Sequence, residues 1–161
     1  MSFKCINNFI ENEKTRKIDF ILNLPSFPWY RTSYKNTLTH ILFEDGKPIS
    51  SFIDLLDGFP NEIKENIIFS QVFLIYKTDK IENVFKKPFE DKVDQSTNLI
   101  YYMNSCDGET LIGSVTKFNS VQNRAIFCSP HLSINETNCT DKDFRIILYI
   151  TYTNNSVFHP R

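Results

Sequence analysis

Arg145 is the most chemically loaded residue of the chain, standing between Phe144 and Ile146 at the head of the apolar run Phe-Arg-Ile-Ile-Leu-Tyr-Ile-Thr-Tyr that ends at Tyr152. A guanidinium buried in a strand is costly unless an anion pairs with it, so Arg145 calls for a carboxylate partner. A bound small anion or an acidic side chain of the chain would serve; the remaining option is an outward position on a sheet edge. The three histidines are scattered: His40 in a strand-like run, His131 in the turn-like Ser-Pro-His-Leu-Ser, and His159 near the end of the sequence. A lone loop histidine is ordinarily a surface residue. Cys5, Cys106, Cys128 and Cys139 are far apart, without a C-x-x-C or C-x-x-H pair. Zinc knuckles depend on such close spacing for their chelate turns, so structural zinc is not expected. There is no G-x-S-x-G elbow, no phosphate loop and no H-E-x-x-H.

The elements that must position these groups change character along the chain. Residues 12–23 read as a short helix, with Ile18, Ile21 and Leu22 on one face and charges on the other, ended by Pro25 and Pro28. A strand over Thr39–Phe43 stops at Asp45-Gly46; helical spacing follows over 51–56, and a further short helix over 61–68. Beyond residue 70 the rhythm is that of strands: Val72–Lys77, Asn98–Met103, Thr110–Phe118, Arg124–Cys128 and Phe144–Tyr152, separated by Asn, Asp, Gly and Ser turns. Short strands with no long helix between them indicate antiparallel sheets packed as a sandwich or jelly roll. The expected class is α+β, a single domain over 1–161, with a helical and mixed support region at 1–70 and core strands at 71–153.

Composition narrows the function. With 41% hydrophobic and 14% aromatic residues, including 15 Phe, the chain is neither disordered nor collagen-like. A net charge of −1 offers no general attraction to nucleic acid or to acidic membranes. Lys77, Lys80, Lys86 and Lys87 near Tyr76 and Phe85 are offset by Asp79, Glu82, Glu90 and Asp91, the pattern of a solvated mixed-charge face. No run approaches the ~18 apolar residues of a membrane span, and Met1-Ser2-Phe3-Lys4 does not open a secretory signal. The expectation is a reduced, soluble, cytoplasmic protein, in the host cytoplasm if it is viral.

The second half carries a family resemblance. The ordered segments Asn98–Asn104, Asp107-Gly-Glu-Thr110, Asn119–Phe127, Thr137–Asp141 and Phe144–Tyr152, with Asn7-Asn-Phe-Ile10, Phe27-Pro-Trp-Tyr30 and Thr39-His40 before them, resemble the Fe(II)/2-oxoglutarate-dependent oxygenases. Within that family the chain looks most like the small prolyl-4-hydroxylase-like branch of phages and marine bacteria. The resemblance spans nearly the whole chain and implies a double-stranded β-helix, or jelly roll, with N-terminal helices packed on it. It also implies an iron held by two histidines and one carboxylate, leaving positions open for the keto acid and O2. An arginine on the last strand would grip the distal carboxylate of 2-oxoglutarate.

Carried onto this sequence, that pattern is only partly kept. The His-x-Asp place falls on Phe89-Glu90-Asp91, so Asp91 keeps the carboxylate while Phe89 stands at the histidine position. The distal histidine falls on Ile134, with His131 three residues earlier as the alternative ligand. Arg145 matches the carboxylate-binding arginine, and Tyr102 falls near the family's 2-oxoglutarate-contacting tyrosine. A single carboxylate does not hold Fe(II) against water. Three readings follow. The leading one is an oxygenase-like scaffold that no longer hydroxylates and serves as a binding or assembly module for a protein or peptide partner. The second is an active hydroxylase of a peptide side chain, using Fe(II) on Asp91 and His131 and 2-oxoglutarate on Arg145. The third is a metal-free keto-acid or small-anion sensor built on Arg145.

Overall fold

A computed structural model describes residues 3–86 and 95–153. The elements run β1 (Phe3–Asn7), α1 (Asn12–Leu22), β2 (Tyr30–Arg31), β3 (Thr37–Glu44), β4 (Lys47–Pro48), a 3-10 turn (Ile53–Leu56), α2 (Asn61–Lys64), β5 (Ile67–Tyr76), β6 (Asn83–Lys86) and β7 (Ser96–Tyr102). They continue with β8 (Glu109–Ile112), β9 (Thr116–Asn119), β10 (Arg124–Cys128), β11 (Ile134–Thr137) and β12 (Phe144–Thr153). The strands form an 8-stranded sheet in the order β1-β10-β7-β12-β5-β3-β2, with β4 on β3, facing a 4-stranded sheet in the order β6-β11-β8-β9. The described strand pairs are antiparallel. This is the expected jelly roll, with α1, the 3-10 turn and α2 packed on the large sheet.

The large sheet is covered on both faces, and strict alternation along its central strands sorts the side chains. On β12, Ile146, Leu148 and Ile150 join the core beneath the helices, while Ile147 and Tyr149 point between the sheets. On β7, Leu99 and Tyr101 take the helix side, and Ile100 and Tyr102 the inter-sheet side. The helix α1 forms because Ile18, Ile21 and Leu22 share one buried stripe. Asn23 ends it, its side-chain amide and backbone N–H both donating to the Asp19 carbonyl.

Several elements differ from the sequence-based expectation. The helix foreseen over 61–68 stops at Lys64, because Ile67 begins β5 and pairs opposite Tyr152. The run Thr110–Phe118 is two strands, folded into a hairpin at Gly113, whose φ of +64° suits glycine. β1, β6 and β11 had no apolar run to announce them. β1 and β3 from the first 70 residues are members of the large sheet, pairing with β10 and β5. Asn123 fastens the segment after β1. Its φ is +62°, a conformation asparagine tolerates, and its side chain accepts from the Ile10 N–H at 3.0 Å and donates to the Ile10 carbonyl at 2.8 Å.

Candidate functional site

Arg145 is the second residue of β12 and points between the sheets with no exposed surface. It meets Glu136, also wholly buried, which reaches in from β11. Arg145 Nη1 lies 2.8 Å from Glu136 Oε2. The guanidinium also donates through Nε to Ser120 Oγ (2.7 Å), through Nη1 to the carbonyls of Thr137 (2.7 Å) and Glu109 (3.1 Å), and through Nη2 to Thr110 Oγ1 (3.0 Å). The arginine is thereby paired and hydrogen-bonded at each of its three nitrogens.

Glu136 is matched with equal care. The Tyr149 hydroxyl donates to Oε1, and the Thr110 hydroxyl donates to the carboxylate at 2.8 Å from Oε2. Thr110 Oγ1 in turn accepts from the Tyr102 hydroxyl at 2.6 Å and from Arg145, so its one hydrogen and two lone pairs are all used. The Arg145 guanidinium carbon sits 5.5 Å from the centre of the Tyr102 ring. Burial pushes the Glu136 carboxyl above its usual range, and Arg145, Tyr149 and Thr110 pull against it. Donors on every side with no acceptor are the complement of an ionised carboxylate. Burial likewise opposes the charge on Arg145, but Glu136 and its neighbours outweigh it and hold the guanidinium protonated. Burial and the adjacent Glu136 charge push the Tyr102 and Tyr149 phenols up, so both remain neutral donors.

Around this polar knot the inter-sheet space is hydrocarbon. Ile134, wholly buried, packs in one cluster with Phe73, Ile75, Phe85, Ile112 and Ile147. The Phe73 and Phe85 rings lie 4.7 Å apart, and Phe73 meets Tyr149 edge-on at 5.9 Å. Ile134 and Glu136 share the inward face of β11 because strand side chains alternate.

The structure brings Arg145 and Tyr102 together and places Ile134 inside. His131 is exposed on the turn between β10 and β11, its N–H donating to Ser129 Oγ at 3.3 Å. Asp91 and Phe89 lie outside the described residues. Glu136 was missed: Asn135-Glu-Thr137 reads as a chance sequon, yet a carboxylate two residues beyond an inward Ile134 is the signal that names it. His40 is a structural residue, buried, with Nδ1 2.9 Å from the Pro28 carbonyl and Nε2 2.6 Å from Ser50 Oγ. No disulfide joins the cysteines, but the fold brings Cys106 and Cys139 together despite their separation in sequence.

No protein-family model matches the chain, and no curated protein sequence does. Solved structures do. A 2-oxoglutarate–Fe(II) oxygenase-family oxidoreductase from Burkholderia pseudomallei aligns with a TM-score of 0.66 at 12% identity, over 94% of this chain and 84% of that one. HygX from Streptomyces hygroscopicus, with nickel and 2-oxoglutarate bound, gives 0.65 at 7% identity over 95% and 83%. The viral collagen prolyl hydroxylase of Paramecium bursaria Chlorella virus-1, in its 2-oxoglutarate complex, gives 0.58 at 12% over 96% and 97%. The chain thus has the fold of the Fe(II)/2-oxoglutarate oxygenases, and at these identities the likeness speaks for the fold alone.

Proposed function

We propose that this chain uses the oxygenase jelly roll as a non-catalytic binding or assembly module for a protein or peptide partner. The observation that carries this reading is the Arg145–Glu136 pair. In the resemblance, Arg145 would receive the distal carboxylate of 2-oxoglutarate; here a carboxylate of the chain itself holds the guanidinium, at 2.8 Å and fully buried. A keto acid would have to expel Glu136 and leave it unpaired in a dry interior, which is strongly unfavourable. The same argument weighs against a keto-acid sensor on Arg145. Ile134 supports the reading from the metal side, since a butyl side chain offers no lone pair where the resemblance puts an imidazole. An active hydroxylase with Fe(II) on Asp91 and His131 would still need a grip for its keto acid. Open space is found elsewhere: a groove of ≈530 Å³ lies beneath α1, lined by Asp19, Leu22, Trp29, Met103, Gln122 and Ile146.

The test is calorimetry of 2-oxoglutarate with anaerobic Fe(II) and, separately, with chelator, on the wild type and on Glu136→Gln. No heat of binding from the wild type under either condition is expected. Saturable wild-type binding that is abolished by Arg145→Met in a protein that still folds would overturn the proposal.

A further inference from the structure

Cys106 and Cys139 are both buried, and Asp141 beside them is exposed. One ligand atom from each, the two Sγ and a carboxylate oxygen, lie within 4.8 Å of one another. Tetrahedral zinc, with bonds of about 2.3 Å to sulfur and 2.0–2.2 Å to oxygen, sets its ligand atoms roughly 3.5–3.8 Å apart. The three atoms thus stand at most about 1 Å farther apart than a zinc ion would hold them, and binding would draw them in. The donors come from two loops, β7–β8 and β11–β12, that are already fastened to each other. The Asp107 N–H donates to Asp141 Oδ1 at 2.9 Å, which orients that carboxylate, and the Thr140 N–H donates to Asp107 Oδ1 at 2.7 Å. Asn104 completes the clasp, donating to the Phe144 carbonyl at 2.9 Å and accepting from the Ile146 N–H at 2.8 Å.

We propose that Cys106, Cys139 and Asp141 bind one thiophilic divalent cation of the zinc class, with the fourth position open to water on the Asp141 side. Two soft sulfurs and one oxygen select zinc over magnesium or calcium, whose sites are built from oxygen. Binding displaces the protons of both thiols, and the cation would cross-link the two loops. The site uses none of the residues that the oxygenase resemblance assigns to iron, and it stands whether or not the chain is catalytic.

The test is an anaerobic titration of reduced, chelator-treated wild-type protein with Co2+, then displacement by Zn2+. The expected result is one equivalent of Co2+ with thiolate-to-cobalt charge-transfer absorption, removed by Zn2+. Cys106→Ser and Cys139→Ser each lose that absorption, and Cys5→Ser keeps it. Asp141→Asn retains the sulfur signal at lower affinity. The wild-type titration does not depend on any variant folding. Absence of a saturable thiolate–cobalt band from the reduced wild type, or a band that survives loss of both Cys106 and Cys139 in a folded protein, overturns the proposal.

Discussion

The two faces of the large sheet are built on different principles. Beneath the helices, Leu74, Leu99, Leu148 and Ile150 form a wall of hydrocarbon, stabilised by burial and close packing. Between the sheets, the same strands contribute Ile75, Ile100, Tyr149 and Arg145, and a polar knot of Arg145, Glu136, Thr110, Tyr102 and Ser120 sits within the apolar packing. At those four positions the first face is held by fit and burial alone. The second is satisfied only as a set, because each member is the hydrogen-bond partner of another. An interior of this fold can thus keep the charge that the resemblance assigns to a cofactor and still be closed, by supplying the countercharge from its own chain.

Substitutions that separate the faces give the largest effects. Glu136→Ala should lower unfolding stability by about 3–5 kcal/mol, since it leaves the Arg145 charge buried without its anion. Arg145→Met combined with Glu136→Leu should recover most of that loss, and denaturant unfolding of the single and double variants checks both. On the helix side, Leu148→Ala should cost about 2–5 kcal/mol through lost burial and the cavity left behind. No second substitution of a charged neighbour should rescue it, and such a rescue would erase the distinction between the faces.

A smaller loss is expected at Gly108, where the loop passes over the polar knot. An added Cβ there would stand 2.5 Å from Arg145 Cδ and 2.6 Å from the Asn138 carbonyl oxygen. Because one of those atoms is backbone, Gly108→Ala should destabilise by about 1–3 kcal/mol, visible as a lower melting temperature. The smallest effect is a pH dependence on the helix side. Burial pulls the pKa of His40 below its ordinary 6.5, against the opposing Pro28 carbonyl. A lowered folded-state pKa means that the unfolded chain protonates first as the medium becomes acidic. The His40 contribution is therefore whole above about pH 6.5 and declines as pH falls through the folded-state value. His40→Gln should flatten that part of a stability–pH profile.

Much of this was legible in the sequence, for definable reasons. The central strands announce themselves because β5, β7, β10 and β12 are buried on both faces and read as continuous apolar runs. Arg145 stood out because a charge inside such a run needs an explanation. β11 stayed hidden because it is short and half polar, Ile-Asn-Glu-Thr, and its inward Glu136 looks like a loop residue until its partner strand is known. β6 and β1 are edge strands whose exposed residues carry no periodic signal. The pairing of Cys106 with Cys139 was invisible for a related reason: the ligand spacing of a knuckle is local, whereas this one is created by two loops that only the sheet order brings side by side.

The most direct test of the closed interior is an assay for decarboxylation of 2-oxoglutarate. Purified protein would be supplied with Fe(II), 2-oxoglutarate, ascorbate and O2, and succinate would be measured against a buffer control. No succinate above that control is expected, because Glu136 holds the guanidinium on which the keto acid would depend. Catalytic succinate formation that disappears in a folded Arg145→Met variant would contradict the account.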